Sequence, residues 1–210
     1  MLYTILRFIG YYLYMPFFVK EIKGMENMHK EGCIIASNHA SYLDPPIIGF
    51  AISKKLNKKV HYLAKIELFR HFFSRVVHKL LEVIPVDRTS KSIFWIKEAK
   101  KYLRRGEIIG IFPEGERSKD NKLGKGKTGV IRLALAAKAP VIPIGITGTY
   151  SLLSINKKFP KIKKIVRINI GKPIYFDKYY KMIVTKKLLR QLTDKVMKEI
   201  AKLSCQVYRQ

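Results

Sequence analysis

"GCIIASNHASYLDPPIIGFAIS", residues 32–53, runs from a short apolar stretch through a polar turn into a second apolar stretch that opens on Pro45 and Pro46. The first stretch is rich in isoleucine and has no polar alternation, as in a strand buried on both faces. Pro45 and Pro46 suit the first turn of a helix, where a missing N–H is harmless, and Asp44 stands where an N-cap belongs. The segment therefore predicts a strand over 32–37, a turn carrying His39, and a helix over 45–55. Beyond it, short apolar runs near 60–64, 82–86, 107–112, 141–147 and 165–170 alternate with helical patterns near 68–80, 91–104, 128–138 and 181–204. Such alternation is the signature of βα units, so the expected fold class is α/β: a central, mostly parallel mixed β-sheet flanked by helices. In the last helix Ile183, Leu188, Leu192, Val196, Ile200 and Leu203 form one apolar stripe opposite a basic face.

At 210 residues the chain is long enough for one well-buried core. Apolar residues are 48% and charged residues 27%, a globular composition. Lys and Arg number 42 against 15 Asp and Glu, a net charge of +27, which concentrates anionic partners: nucleic acid, anionic lipid or phosphorylated substrates. Cys33 and Cys205 form no CxxC pair and no zinc spacing, which fits a reducing, cytosolic setting, with Cys33 as a small buried hydrophobe.

"MLYTILRFIGYYLYMPFFVK", residues 1–20, carries a single charge, Arg7, before Lys20. As an unbroken helix residues 1–19 rise roughly 28 Å, just short of a typical hydrocarbon core. Tyr3, Tyr11, Tyr12 and Tyr14 prefer headgroup depth, and Gly10 and Pro16 interrupt the helix. The segment reads as a membrane-associating interfacial anchor, with packing on the domain's own core as its alternative. No small-residue cleavage site follows it, and the lysines downstream favour the cytoplasmic face of the membrane. The expected organisation is this segment (1–20) followed by a single α/β domain (21–210).

In open α/β sheets ligands bind beyond the carboxyl ends of parallel strands. There His39 follows the first predicted strand, Lys65 the second, Arg88 the third, and Glu114, Gly115 and Arg117 the fourth. A neutral imidazole takes a proton from an alcohol when a carboxylate fixes its tautomer, and Asp44 is close enough to do so. The residues alone leave Asp44 two roles, partner of His39 and cap of the helix, and its two oxygens allow both at once. Arg88 is either a bidentate phosphate contact or a partner of Asp87. Gly115, between two acids after a strand, lets backbone approach a ligand. Lys127, near a predicted helix start, suits an anion but lacks P-loop spacing. His29, His61, His71 and His78 have no comparably placed acid and read as packing or surface residues. The lysine-rich "SINKKFPKIKK", residues 154–164, reads as a solvated loop.

Taken in order, "NHASYLD", "VIPVDR", "FPEGERS" and "APVIPIGI" resemble the four blocks of the glycerolipid acyltransferases, in particular the bacterial 1-acyl-sn-glycerol-3-phosphate acyltransferases, over about residues 24–175. The resemblance implies His39 as general base, Asp44 as its orienting partner, and Glu114 and Gly115 in the pocket. It also implies Lys65, Arg88 and Arg117 on the acceptor's phosphate, with Lys127 contributing. The implied reaction is direct acyl transfer from acyl-CoA or acyl-carrier protein to lysophosphatidate at an anionic membrane surface, giving phosphatidic acid without further cofactors. Backbone N–H groups near the histidine would hold the oxyanion. One departure stands out: Glu116 occupies a position where the family usually has threonine, which bears on the identity of the acceptor.

Three rival readings follow from the residues. Ser41, His39 and Asp44 contain the members of a hydrolase triad, but crowd them together and lack a GxSxG elbow. A metal hydrolase would use His39, Asp44 and Glu114, without a second histidine. Nucleic-acid binding is invited by the charge, but the basic residues are spread along the chain and no recognition motif appears.

Overall fold

The computed structural model describes residues 11–12, 15–28, 31–69, 82–87 and 93–209. Its strands are β1 (Val19–Lys23), β2 (Cys33–Ser37), β3 (Val60–Lys65), β4 (Ile84–Val86), β5 (Ile108–Ile111), β6 (Val141–Thr147) and β7 (Val166–Ile170). Its α-helices are α1 (Asp44–Leu56), α2 (Phe94–Arg104), α3 (Gly129–Ala137), the single turn α4 (Thr149–Leu152) and α5 (Lys186–Leu203). The strands form one 7-stranded sheet in the order β1-β7-β6-β2-β5-β3-β4. β2 to β6 run parallel to one another, while β7 is antiparallel to β6 and parallel to β1. This is the mostly parallel mixed sheet the alternation predicts.

The central strands are apolar throughout because each of their faces meets a separate core. Ile34, Ala36, Ile109, Ile111 and Val141 face a cluster with Ala99 and Leu103 of α2, Val130 and Leu133 of α3, and Val196 and Ile200 of α5. Cys33, Ile35, Ile108, Ile142 and Ile144 face the other way, onto Ile47, Ile48 and Ile52 of α1. Period-two alternation within a continuous apolar run thus sorts each strand between two layers. The chain leaves β2 through α1 on one face and leaves the neighbouring β5 through α3 on the other. A crevice opens between two adjacent parallel strands whose connections diverge in this way. The loops at its lips are the His39 turn and the Glu114 turn.

Three expectations change. Residues 19–23 form an edge strand in which Val19 pairs with Val166, and Met15, Phe18 and Val19 are buried in the α1-side core. A boundary at residue 20 therefore cuts through β1, and the last part of the apolar segment packs on the domain. Residues 1–10, 13 and 14 lie outside the described residues. Among those described, no helix is long and apolar enough to cross a membrane. The final helix starts at Lys186 rather than 181, because the Thr185 side chain accepts the Leu188 N–H (3.1 Å) and caps it there. Ile183, assigned to the apolar stripe, is 88% exposed. The helix expected over 68–80 lies almost wholly outside the described residues.

Helix α5 ends directly against β6. A Cβ on Gly145 would stand 2.2 Å from the Leu203 carbonyl carbon and 2.3 Å from the Ser204 nitrogen, both backbone atoms. Neither can step aside as a side chain would, so Gly145→Ala is expected to destabilise the fold by about 2–3 kcal/mol. The check is a lower urea midpoint with an unchanged slope.

Candidate active site

The turn that leaves β2 is organised by one carboxylate. Asp44 is fully buried, and its Oδ2 accepts the Ala40 N–H (2.7 Å) and the Ser41 N–H (2.7 Å) and lies 2.9 Å from His39 Nδ1. A carboxylate only accepts, so this contact places the imidazole proton on Nδ1 and leaves Nε2 as the free base. The helix-cap role does not hold: the N-cap of α1 is Leu43, without a side-chain cap, and Asp44 is already helical. Its Oδ1 has no hydrogen-bond partner. All the bonds converge on Oδ2 because the turn brings the two N–H groups and the ring to the same side.

The histidine is held from other directions as well. Its ring stacks on Phe112, just after β5, with centroids 4.1 Å apart and planes at 20°. Its N–H donates to Glu114 Oε1 (2.7 Å), and its carbonyl accepts the Ser118 N–H (2.8 Å). Asn38, next in the turn, donates to the Ile146 carbonyl (2.9 Å) and accepts the Ile146 N–H (2.8 Å), tying β2 to β6. The His39 side chain is 16% exposed, so it is fixed yet reachable.

Glu114 spends both oxygens on backbone. Oε1 takes the His39 N–H and Oε2 the Gly124 N–H (2.7 Å), so its part is to join three loops rather than to face a ligand. Burial pushes its carboxyl up to about 7, against the pull of those two N–H donors. Gly115 has φ +79°, and a Cβ there would stand 2.9 Å from Lys127 Nζ, which crosses the turn at that point. Arg117 lies on the Tyr42 ring, its Cζ 3.4 Å from the centroid, and donates from Nη2 to the Tyr42 hydroxyl (2.8 Å). Its Nη1 is enclosed and unpartnered, an available donor beside the histidine's turn. Lys65 is exposed at the carboxyl end of β3, opposite Val86 in register. Arg88, two positions further on, lies outside the described residues, as do His29, His71 and His78. Glu116 is exposed and, among the described residues, takes part in no ion pair.

The rival chemistries meet specific obstacles. Ser41 is fully buried; its hydroxyl donates to the Leu153 carbonyl (2.7 Å) and accepts the Leu43 N–H (3.1 Å), away from the imidazole. Glu114 directs its oxygens at backbone N–H groups, and the described residues contain no metal-ligating group of three or more His, Cys, Asp or Glu.

Two clusters escaped the reading of the sequence. His61 does have acids nearby: it is fully buried, its Nδ1 is 3.5 Å from Glu82 and its Nε2 3.9 Å from Glu107, and its ring stacks on Tyr102. Desolvation lowers its pKa despite those carboxylates. The partners are far away in sequence, so spacing could not reveal them. The second cluster supports the lysine loop. Arg190 donates to the Gly126 carbonyl (2.7 Å) and pairs with Asp194, and Tyr208 donates to Asp194 (2.7 Å).

A central carboxylate-held histidine, set at the divergence of two parallel strands and bordered by cations, fits enzymes that deprotonate an alcohol on an anionic substrate. The chain belongs to the acyltransferase family, whose pattern it matches over residues 20–147. It is 32% identical over 185 residues to the 1-acyl-sn-glycerol-3-phosphate acyltransferase of Bacillus subtilis, covering 87% of each chain. To the chloroplastic enzyme BAT2 of the same name from Brassica napus it is 30% identical over 78% of this chain, and it spans 47% of that longer protein. The crystal structure of the 1-acyl-sn-glycerophosphate acyltransferase PlsC from Thermotoga maritima superposes with a TM-score of 0.71 at 24% identity, covering 98% of this chain and 81% of that one. This last likeness carries the fold, and its α/β architecture is the one described above.

Two outcomes are expected of this geometry. Ser41→Ala should cost about 1–3 kcal/mol of stability, through the stranded Leu43 N–H and Leu153 carbonyl, and leave the chemical step within a few-fold of the parent. A loss of the chemical step by orders of magnitude in folded protein would restore the serine as nucleophile. Glu114 keeps its proton in the folded chain up to about 7 and loses it near 4.5 when unfolded, so the folded state binds more protons in that window. Its contribution is complete below pH 4.5 and is lost as pH rises through 7, by roughly 3 kcal/mol. Urea titrations of parent and Glu114→Gln across that range should show a flatter pH slope for the variant.

Proposed function

We propose that the chain transfers a fatty acyl group from a thioester to the free sn-2 hydroxyl of 1-acyl-glycerol-3-phosphate, giving phosphatidic acid. The single observation that carries the reading is the contact between His39 Nδ1 and Asp44 Oδ2 (2.9 Å), which leaves Nε2 as a base on a partly exposed ring at the carboxyl end of the sheet. The names of the Bacillus and Brassica relatives support the acceptor.

In this mechanism His39 Nε2 takes the hydroxyl proton as that oxygen attacks the thioester carbonyl. The C–O bond forms, the tetrahedral intermediate collapses with breakage of the C–S bond, and the imidazolium returns the proton to the departing thiolate. Asp44 keeps the tautomer and stabilises the imidazolium, and no acyl-enzyme is formed. The N–H groups of His39, Ala40 and Ser41 are already engaged by Glu114 and Asp44. The oxyanion must therefore draw on other donors, and Arg117 Nη1 is one such: it is enclosed and unpartnered on a guanidinium that stacks on Tyr42 of the same turn. Lys65, Arg117 and Lys127, together with Arg88 by family resemblance, hold the acceptor's phosphate. Acyl-CoA and acyl-carrier protein are both acidic donors suited to a +27 chain. The same charge favours the anionic cytoplasmic face of the cell membrane, where both acyl chains reside.

A different lysolipid acceptor is the second reading, favoured by Glu116: an exposed carboxylate next to Arg117 in sequence, where the family resemblance implies threonine.

Thioester consumption by detergent-solubilised protein, with lysophosphatidate and either donor, tests the reaction. Acceptor-dependent turnover should fall about 10²–10⁴-fold in a folded His39→Ala variant, and fall steeply in Asp44→Asn. Turnover only with another lysolipid would select the second reading, and unchanged activity in His39→Ala would remove the histidine as base.

A further inference from the structure

The lysines of the loop between α4 and β7 suit the solvated loop that the sequence predicts. Phe159 and Ile162 do not: they are 83% and 75% exposed, and every residue from Asn156 to Lys164 is exposed. Lys157, Lys158, Lys161, Lys163 and Lys164 surround them, and among the described residues none of these lysines has an acidic partner. A single exposed apolar side chain is ordinary. An aromatic and a β-branched residue three positions apart on a lysine-dense projection form an amphipathic tip whose two components match the two layers of an anionic bilayer surface.

The placement of the loop strengthens the case. β6 runs parallel to β2, so the segment leaving β6 emerges at the carboxyl end of the sheet, where His39 lies. The loop is rooted in the histidine's own turn: Ser41 Oγ donates to the Leu153 carbonyl (2.7 Å), and the Lys161 N–H donates to the Leu152 carbonyl (2.9 Å). Tyr150 donates to the Lys119 carbonyl (2.8 Å), joining the same root to the Arg117 segment. Tyr42 in the histidine turn and Ile66 just beyond β3 are also exposed at this end of the sheet.

We propose that residues 156–164 are a docking loop for an anionic lipid surface, with Phe159 and Ile162 entering the interface and the lysines meeting the headgroups, so that the mouth of the crevice faces the lipid. The proposal rests on the membrane-surface part of the reading above and assigns it to a specific element. A nucleic-acid strand would also attract the lysines but offers no apolar layer for Ile162.

The test uses the full chain with Trp95→Phe, so that Phe159→Trp supplies the only indole. On vesicles of phosphatidylcholine with one third phosphatidylserine, indole emission should shift to the blue and be quenched by brominated acyl chains. Pure phosphatidylcholine should give neither effect. Combined Lys157→Gln, Lys158→Gln and Lys161→Gln should weaken vesicle partitioning about ten-fold or more while leaving detergent-assayed turnover unchanged. Sedimentation of the chain with anionic vesicles while the indole stays unquenched would overturn the docking loop and leave the membrane reading standing. No sedimentation of the parent would overturn both. Duplex DNA that binds at physiological salt and shifts the indole, where vesicles do not, would reassign the loop to nucleic acid.

Discussion

One carboxylate oxygen, Asp44 Oδ2, is the point on which the site turns. Three donors from consecutive residues, the His39 ring and the N–H groups of Ala40 and Ser41, converge on it in a fully buried position. Charge-assisted hydrogen bonds of this kind are among the strongest available to a loop. The same oxygen therefore shapes the backbone of the turn and selects the tautomer of its imidazole. Loop geometry and proton chemistry cannot be varied separately here, because both are read from one atom.

Around that oxygen the structure builds a frame from main-chain donors. Glu114 bridges the His39 and Gly124 N–H groups, Ser118 closes on the His39 carbonyl, and Asn38 stitches the turn to Ile146. These bonds lie between strands that diverge to opposite faces of the sheet, where a crevice is open by topology and needs its lips fixed. Lys65, Lys127 and Arg117 sit outside this frame, and Arg117 retains an enclosed, unpartnered nitrogen. Rigid positioning at the centre and uncommitted positive charge at the margin suit chemistry on an anion.

The strand–turn–helix at 32–53 was legible because apolar run, proline pair and acid all speak within a few residues. The choice between Asp44 as cap and as histidine partner was not, since both roles share the same spacing and only the path of the turn decides. β1 went unread because VKEIK is short and charged, as edge strands are when they avoid pairing with other chains. The acids around His61 and the two N–H groups on Glu114 come from distant segments, and no local pattern encodes them. Family resemblance supplied the ordered blocks, yet left open that Glu114 acts on backbone. The lysine-rich loop was legible in charge and illegible in its apolar tip, whose exposure only the fold reveals.

The pairing of β1 with β7 also sets a clock for the growing chain. Val19 finds its partner in Val166, so β1 leaves the ribosome well before the strand it pairs with. At about 5–20 residues per second that interval is roughly seven to thirty seconds, during which Val19–Lys23 lacks the partner it has in the fold. Its alternating charges, Lys20, Glu21 and Lys23, then keep the waiting strand in water and away from other nascent chains. The edge residues thus serve the protein most before it has finished being made.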